Sequence, residues 1–163
     1  MHTIAEIDAM DAGAFQAVLG SVVEHSPWVA GEAWRRRPFG SPAALRLAFE
    51  AVLRLAPPDR QLALLNAHPE LGDRQLTDAS AREQAQARLD RLPAADLALL
   101  RQLNAAYRER FGFPFISCVR EHSVASLLAW AQARLERDRD AEAETALTEV
   151  GKIVALRLRE RVA

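Results

Sequence analysis

One cysteine, Cys118, in 163 residues leaves no partner for an internal disulfide and fits a reducing compartment. No apolar run approaches the ~18 residues of a membrane span, so no transmembrane segment and no membrane partner are expected. Met1 to Asp8 lacks the basic start of a secretion signal, and Glu160 to Ala163 is neither a peroxisomal tripeptide nor a lipidation box. The expected location is the cytoplasm. Lysine is almost missing: of 21 basic residues only Lys152 is not arginine, and 22 acids bring the formal net charge to -1. Stretches such as Arg134-Leu-Glu-Arg-Asp-Arg-Asp140 alternate in sign along a helix, which reads as a solvated face and excludes a basic surface for nucleic acid. The four histidines form no H-x-x-x-H pair and no Cys/His cluster, so no metal is expected, and no motif for an organic cofactor is present.

Against these absences, the composition is ordinary for one globular domain over residues 1–163, with 50% hydrophobic and 26% charged residues. A chain of this size buries roughly 70% of its unfolded surface in a single core. Its most unusual stretch is Phe111-Gly-Phe-Pro-Phe-Ile-Ser-Cys-Val-Arg120. Gly112 and Pro114 forbid a helix there, while three phenylalanines, Ile116, Cys118 and Val119 demand burial. A buried loop has no ladder for its amides and carbonyls, so its backbone is expected to meet something else, such as a polar ligand.

Everything around that loop reads as helix. Apolar spacing and caps predict helices over Asp11 to His25, Trp28 to Arg36, Pro42 to Ala56 behind an N-capping Ser41, and Pro58 to Ala67. Further helices are predicted from Thr77-Asp78 through Leu92, from Pro93 to Arg110, over Val124 to Leu135, and around Leu147 to Leu158. No strand alternation and no repeat period compete. The fold class expected is all-α, a single-domain bundle of about seven to nine helices.

Few side chains on such a scaffold can do chemistry. His68 lies at a forced break, Asn66-Ala-His-Pro-Glu-Leu-Gly72, where it either caps the preceding helix or serves as a proton carrier held by a stiff proline. Ser80, Glu83 and Gln84 share one helix face at i, i+3, i+4, as a polar constellation or, more simply, as a capping box in which Glu83 bonds back to the backbone. Arg157, between Leu156 and Leu158, is a guanidinium candidate, although such arginines usually snorkel outward. Cys118 is more simply a buried small residue than a nucleophile.

Ser26-Pro-Trp-Val-Ala30, Arg37-Pro-Phe39, Ala67-His-Pro-Glu-Leu-Gly72, Ser80-x-x-Glu-Gln84, Asn104-x-x-Tyr107, Phe111-Gly-Phe-Pro-Phe-Ile116 and Lys152-Ile-x-x-Leu-Arg-Leu158 together resemble the 2-oxo-4-hydroxy-4-carboxy-5-ureidoimidazoline (OHCU) decarboxylase family of urate degradation. The resemblance spans nearly the whole chain. It implies an all-helical, cofactor-independent carboxy-lyase, frequently a homodimer, that converts OHCU to (S)-allantoin and carbon dioxide. It implies His68 and Glu83 as catalytic residues, and Pro69, Ser80, Gln84, Arg157 and the main chain from Phe113 through Phe115, Ile116 and Ser117 as substrate contacts. The alternative is a non-catalytic helical module that keeps the pocket and binds a ureide or purine-like ligand. A Cys118-dependent hydrolase is a third reading and needs a histidine near that thiol. The chain departs from the family in having Ala87-Arg88-Leu89 where Ala-Gly-Leu is usual, and in a short segment between Gly72 and Ser80.

Overall fold

The computed structural model describes residues 1–73 and 75–163. Among them are nine α-helices: α1 (Ile4–Ala9), α2 (Ala12–Leu19), α3 (Trp28–Trp34), α4 (Pro42–Leu55), α5 (Pro58–Asn66), α6 (Asp78–Gln86), α7 (Ala94–Phe111), α8 (Val124–Leu135) and α9 (Arg139–Arg159). Two 3₁₀ turns, Leu89–Arg91 and Val119–Glu121, complete the regular structure, and the described residues hold no strand beyond an isolated His2–Val162 bridge. The fold is all-α. Among the described residues no helix is long and apolar enough to cross a membrane.

Most helix starts follow the caps that the sequence displays. Ser41 accepts from the Ala44 amide at 3.1 Å with Pro42 at the first helical position, and Ser123 does the same for Ser126 at 3.2 Å. One helix was not predicted, and two predicted ends fail for local reasons. Helix α1 was hidden by acids among its apolar residues, yet Thr3 and Glu6 form a reciprocal capping box: the Thr3 amide donates to Glu6 Oε2 at 2.7 Å and the Glu6 amide to Thr3 Oγ1 at 3.3 Å. Helix α2 ends at Leu19 rather than His25, because Val22, Val23 and Glu24 are all buried and three consecutive residues cannot lie on one helical stripe. Helix α6 ends at Gln86 rather than Leu92. Arg88 there takes left-handed geometry, φ 61°, and the chain turns Leu89 inward to 4% exposure.

Packing divides the chain into two compact units, residues 1–67 with 150–163, and residues 68–149. In the first, α3 packs against α2 and α4, and Phe15 stacks on Phe39 and Phe49 in the core. Asp8 accepts the amides of Phe39 and Gly40, fixing the Arg37-Pro-Phe turn. In the second, α7 packs on α8, and α6 on both 3₁₀ turns. Its core is the aromatic set Tyr107, Phe111, Phe113 and Phe115, with ring centroids 4.6 to 5.8 Å from Tyr107.

Candidate functional site

Apart from Arg157, every residue singled out by sequence falls in the second unit, on three pieces of chain. The first is the turn after α5. The Ala67 amide closes that helix onto the Ala63 and Leu64 carbonyls, and His68 follows, only 8% exposed, before the half-buried Pro69. Gly72, at φ +80°, gives this turn its bend. Two side chains of α7 hold it: Asn104 Nδ2 donates to the Leu71 carbonyl at 2.9 Å, and Arg108 pairs with Glu70 at 2.8 Å.

The second piece is α6. Its N-cap is Thr77, whose hydroxyl accepts from the Ser80 amide, so Ser80 sits at the third helical position and Glu83 a full turn further in. The capping-box reading of Ser80 and Glu83 therefore fails: the cap they would form is already made by Thr77. Ser80 and Gln84 are buried at 7% and 5% exposure, and Glu83 beside them is half-buried. Gln84 Oε1 accepts the Gly72 amide at 2.9 Å. That bond ties the helix carrying Ser80, Glu83 and Gln84 to the turn carrying His68.

The third piece is the loop after α7. Gly112 ends the helix in left-handed geometry, φ +80°, donating its amide to the Arg108 carbonyl. Phe113, Phe115, Ile116 and Ser117 are all within 3% exposure of complete burial. Their rings pack on Tyr107, so the side chains of Phe113 and Phe115 belong to the core and only their main chain can serve a ligand. Cys118 is buried at 1% exposure, as a small core residue would be.

Arg157 lies in the first unit and is 3% exposed, which corrects the expectation that it snorkels to solvent. Its Nη1 donates to Glu24 Oε2 at 2.9 Å and to the Val22 carbonyl at 3.3 Å. Burial of a guanidinium is sustained here by a buried carboxylate and a backbone oxygen.

Sequence reasoning missed the charges that support the loop. Arg134, read as part of a solvated face, is 0% exposed. It bonds to Glu142 Oε1 through Nε, to the Tyr107 hydroxyl at 3.2 Å and to the Ile116 carbonyl at 2.6 Å, while Tyr107 donates to the same Glu142 oxygen. Burial pushes the Tyr107 phenol far above its usual range; the charge of Arg134 opposes this and the bond to Glu142 adds to it, so the hydroxyl stays protonated as a donor. Glu149, at 3% exposure, accepts the Cys118 amide at 2.8 Å. The missed signal was register: Arg134 continues the buried stripe of Leu127 and Ala131, and Glu142 and Glu149 flank Ala146 at helical spacing.

The chain matches the OHCU decarboxylase family model over residues 8–159. A relative from Halalkalicoccus jeotgali named 2-oxo-4-hydroxy-4-carboxy-5-ureidoimidazoline decarboxylase is 43% identical over 97% of this chain and 90% of its own length. The mouse protein of the same name is 40% identical over 95% of this chain and 90% of its own. A solved structure described as (S)-allantoin synthase superposes with a TM-score of 0.76 at 30% identity, covering 98% of this chain, which spans 54% of that longer one. With the family model covering almost all of its length and relatives at 40% and 43% identity matched over 90% of their own length, this chain belongs to the OHCU decarboxylase family.

Proposed function

We propose that this protein decarboxylates OHCU to (S)-allantoin and carbon dioxide in urate degradation, without a cofactor. Family membership supports the reaction class, and the observation that carries the assignment of residues is the Gln84–Gly72 bond, which binds the Ser80-Glu83-Gln84 face to the His68 turn.

The substrate carries its own electron sink. Its carboxylate sits on a carbon next to a ring C=N, so the pair released by C–C cleavage flows into that imine, whose nitrogen takes up a proton as an enol forms between the two ring carbons. The enol then loses its hydroxyl proton to become a carbonyl while the carbon bearing the ureido group gains one, a net uptake of one proton from solvent. The protein has to orient the ring and move protons at three atoms. His68 is the carrier in this reading, taking the hydroxyl proton, and Glu83 orients the imidazole or polarises a ring N–H. Gln84 spends its oxygen on Gly72, which leaves the amide NH₂ as the end that faces a substrate carbonyl. Ser80, Pro69 and the main chain from Phe113 to Ser117 are further substrate contacts in this reading, and Arg157, paired with Glu24, is assigned an anionic oxygen. A homodimer in the cytoplasm is part of the same reading.

Freshly generated OHCU, supplied to purified protein and followed for optical rotation and carbon dioxide release, tests it. The expected result is (S)-allantoin formed faster than the racemic background and unaffected by chelation. Binding of (S)-allantoin with racemic product at the uncatalysed rate defeats it and leaves a binding module.

A further inference from the structure

The loop's side chains are committed to the core, so whatever it offers a ligand must come from its peptide groups, and those are clamped one after another. Arg134 Nη1 holds the Ile116 carbonyl at 2.6 Å. In a trans peptide the C=O and the following N–H point in opposite directions, so the Ser117 N–H is turned away from the Arg134, Glu142 and Tyr107 cluster. Glu149 holds the Cys118 amide at 2.8 Å, which fixes the next plane, and the Glu121 amide holds the Cys118 carbonyl at 3.0 Å, which fixes the third. Among the described residues the Ser117 N–H has no acceptor, although Ser117 is only 3% exposed. A buried amide donor is almost always paired in a folded protein.

We infer that Arg134 is a positioning residue that aims the Ser117 N–H at a carbonyl or carboxylate oxygen of the substrate, with Glu142 and Tyr107 bracing its guanidinium and Glu149 holding the adjoining peptide. The inference rests on the OHCU reading above. Arginine suits the task because its planar fork spends separate donors on Glu142, the Tyr107 hydroxyl and the Ile116 carbonyl at once, whereas an ammonium at that depth cannot span all three. The cluster touches no substrate. Its effect is orientation, and a donor fixed before binding costs no ordering at the moment of binding.

The test uses the full chain, labelled with ¹⁵N, in wild-type form and as Arg134→Lys, with (S)-allantoin as the NMR probe and OHCU as substrate. In wild type the Ser117 amide resonance should shift downfield on adding (S)-allantoin. In the lysine variant that shift should vanish and KM should rise about tenfold, with kcat falling less, the scale of one misdirected hydrogen bond. A merely structural role lowers the melting temperature only, so kcat/KM per folded molecule within about twofold of wild type, with the shift retained, overturns the inference. If Arg134→Lys does not fold, Tyr107→Phe decides in its place, since it keeps the ring and removes only the brace: a weakened shift with raised KM supports the inference, and unchanged values overturn it. Wild type that turns over OHCU while its Ser117 amide ignores (S)-allantoin defeats this inference alone. Wild type that neither turns over OHCU nor binds (S)-allantoin defeats the functional reading with it.

Discussion

Each compact unit buries one arginine against one glutamate, Arg134 with Glu142 in the second and Arg157 with Glu24 in the first, and each guanidinium also takes a backbone carbonyl from irregular chain, Ile116 or Val22. The difference lies in what is tied to what. Arg134 and Glu142 face each other across the short connection between α8 and α9, eight residues apart in sequence, with a tyrosine hydroxyl sharing both groups. Arg157 and Glu24 are 133 residues apart and join the end of the chain to its beginning. The local pair sits among aromatic rings and grips the loop backbone; in the proposed reading the long-range pair instead presents Arg157 to the substrate. On that reading the same two residue types serve support in one place and recognition in the other.

The harshest way to break the comparison is Glu142→Ala, which strands the Arg134 charge at 0% exposure and should cost about 3–5 kcal/mol in chemical denaturation. A loss below about 1 kcal/mol would show that Arg134 is not dependent on its partner. His68→Asn supplies the contrasting behaviour: stability near wild type with the OHCU turnover rate down ~10²-fold or more, about 2.7 kcal/mol of barrier. An asparagine variant with wild-type turnover would return His68 to a helix-capping role. Glu24→Gln separates the two pairs directly. Glutamine keeps an oxygen for Arg157 but not the charge, so stability should fall by about 1–2 kcal/mol while KM rises. A change in melting temperature with kinetics untouched would make Arg157 a purely structural residue.

Smaller effects are expected away from the pairs. Arg88 is held at φ 61°, a left-handed conformation that favours glycine, so Arg88→Gly should raise the denaturation midpoint by the equivalent of about 0.5–1 kcal/mol. No gain would mean the side chain compensates its backbone strain. Least of all is the pH response of α1. Hydrogen bonds from the Thr3 amide and hydroxyl hold the Glu6 carboxyl below its usual 4.5. With the folded value depressed, the cap is fully present above the unfolded value and is lost as pH falls through the folded one. The Thr3 amide resonance should report that loss below pH 4.5, and its absence would remove the capping box.

The all-helical class, the ends of α4 and α8, and the irregular loop at Phe111 were legible because Pro, Gly and Ser act locally and announce themselves. The pattern Ser/Thr-x-x-Glu shows where local reading stops. It occurs at Thr3, Ser21 and Ser80; the first is a capping box, the second opens no helix, and at the third Thr77 stands one turn earlier and takes the helix start. Nothing in four residues distinguishes them. Family motifs proposed the residues of the site, but the surroundings of the charges were not legible: whether Arg134 or Arg157 is buried depends on carboxylates placed by the fold. A stripe of buried positions containing a charge is the readable trace of such a pair, and it is visible only when helical register is followed through polar residues as well as apolar ones.

Because the loop from Phe113 to Ser117 meets the interior with its rings, a ligand role of the kind proposed would fall to its main chain and would not depend on which apolar residues it carries. An alanine scan across it would report only packing losses and assign it no part in recognition. Substitution of distant residues such as Arg134 and Glu149, which grip the peptide groups, is what makes the loop's contribution measurable.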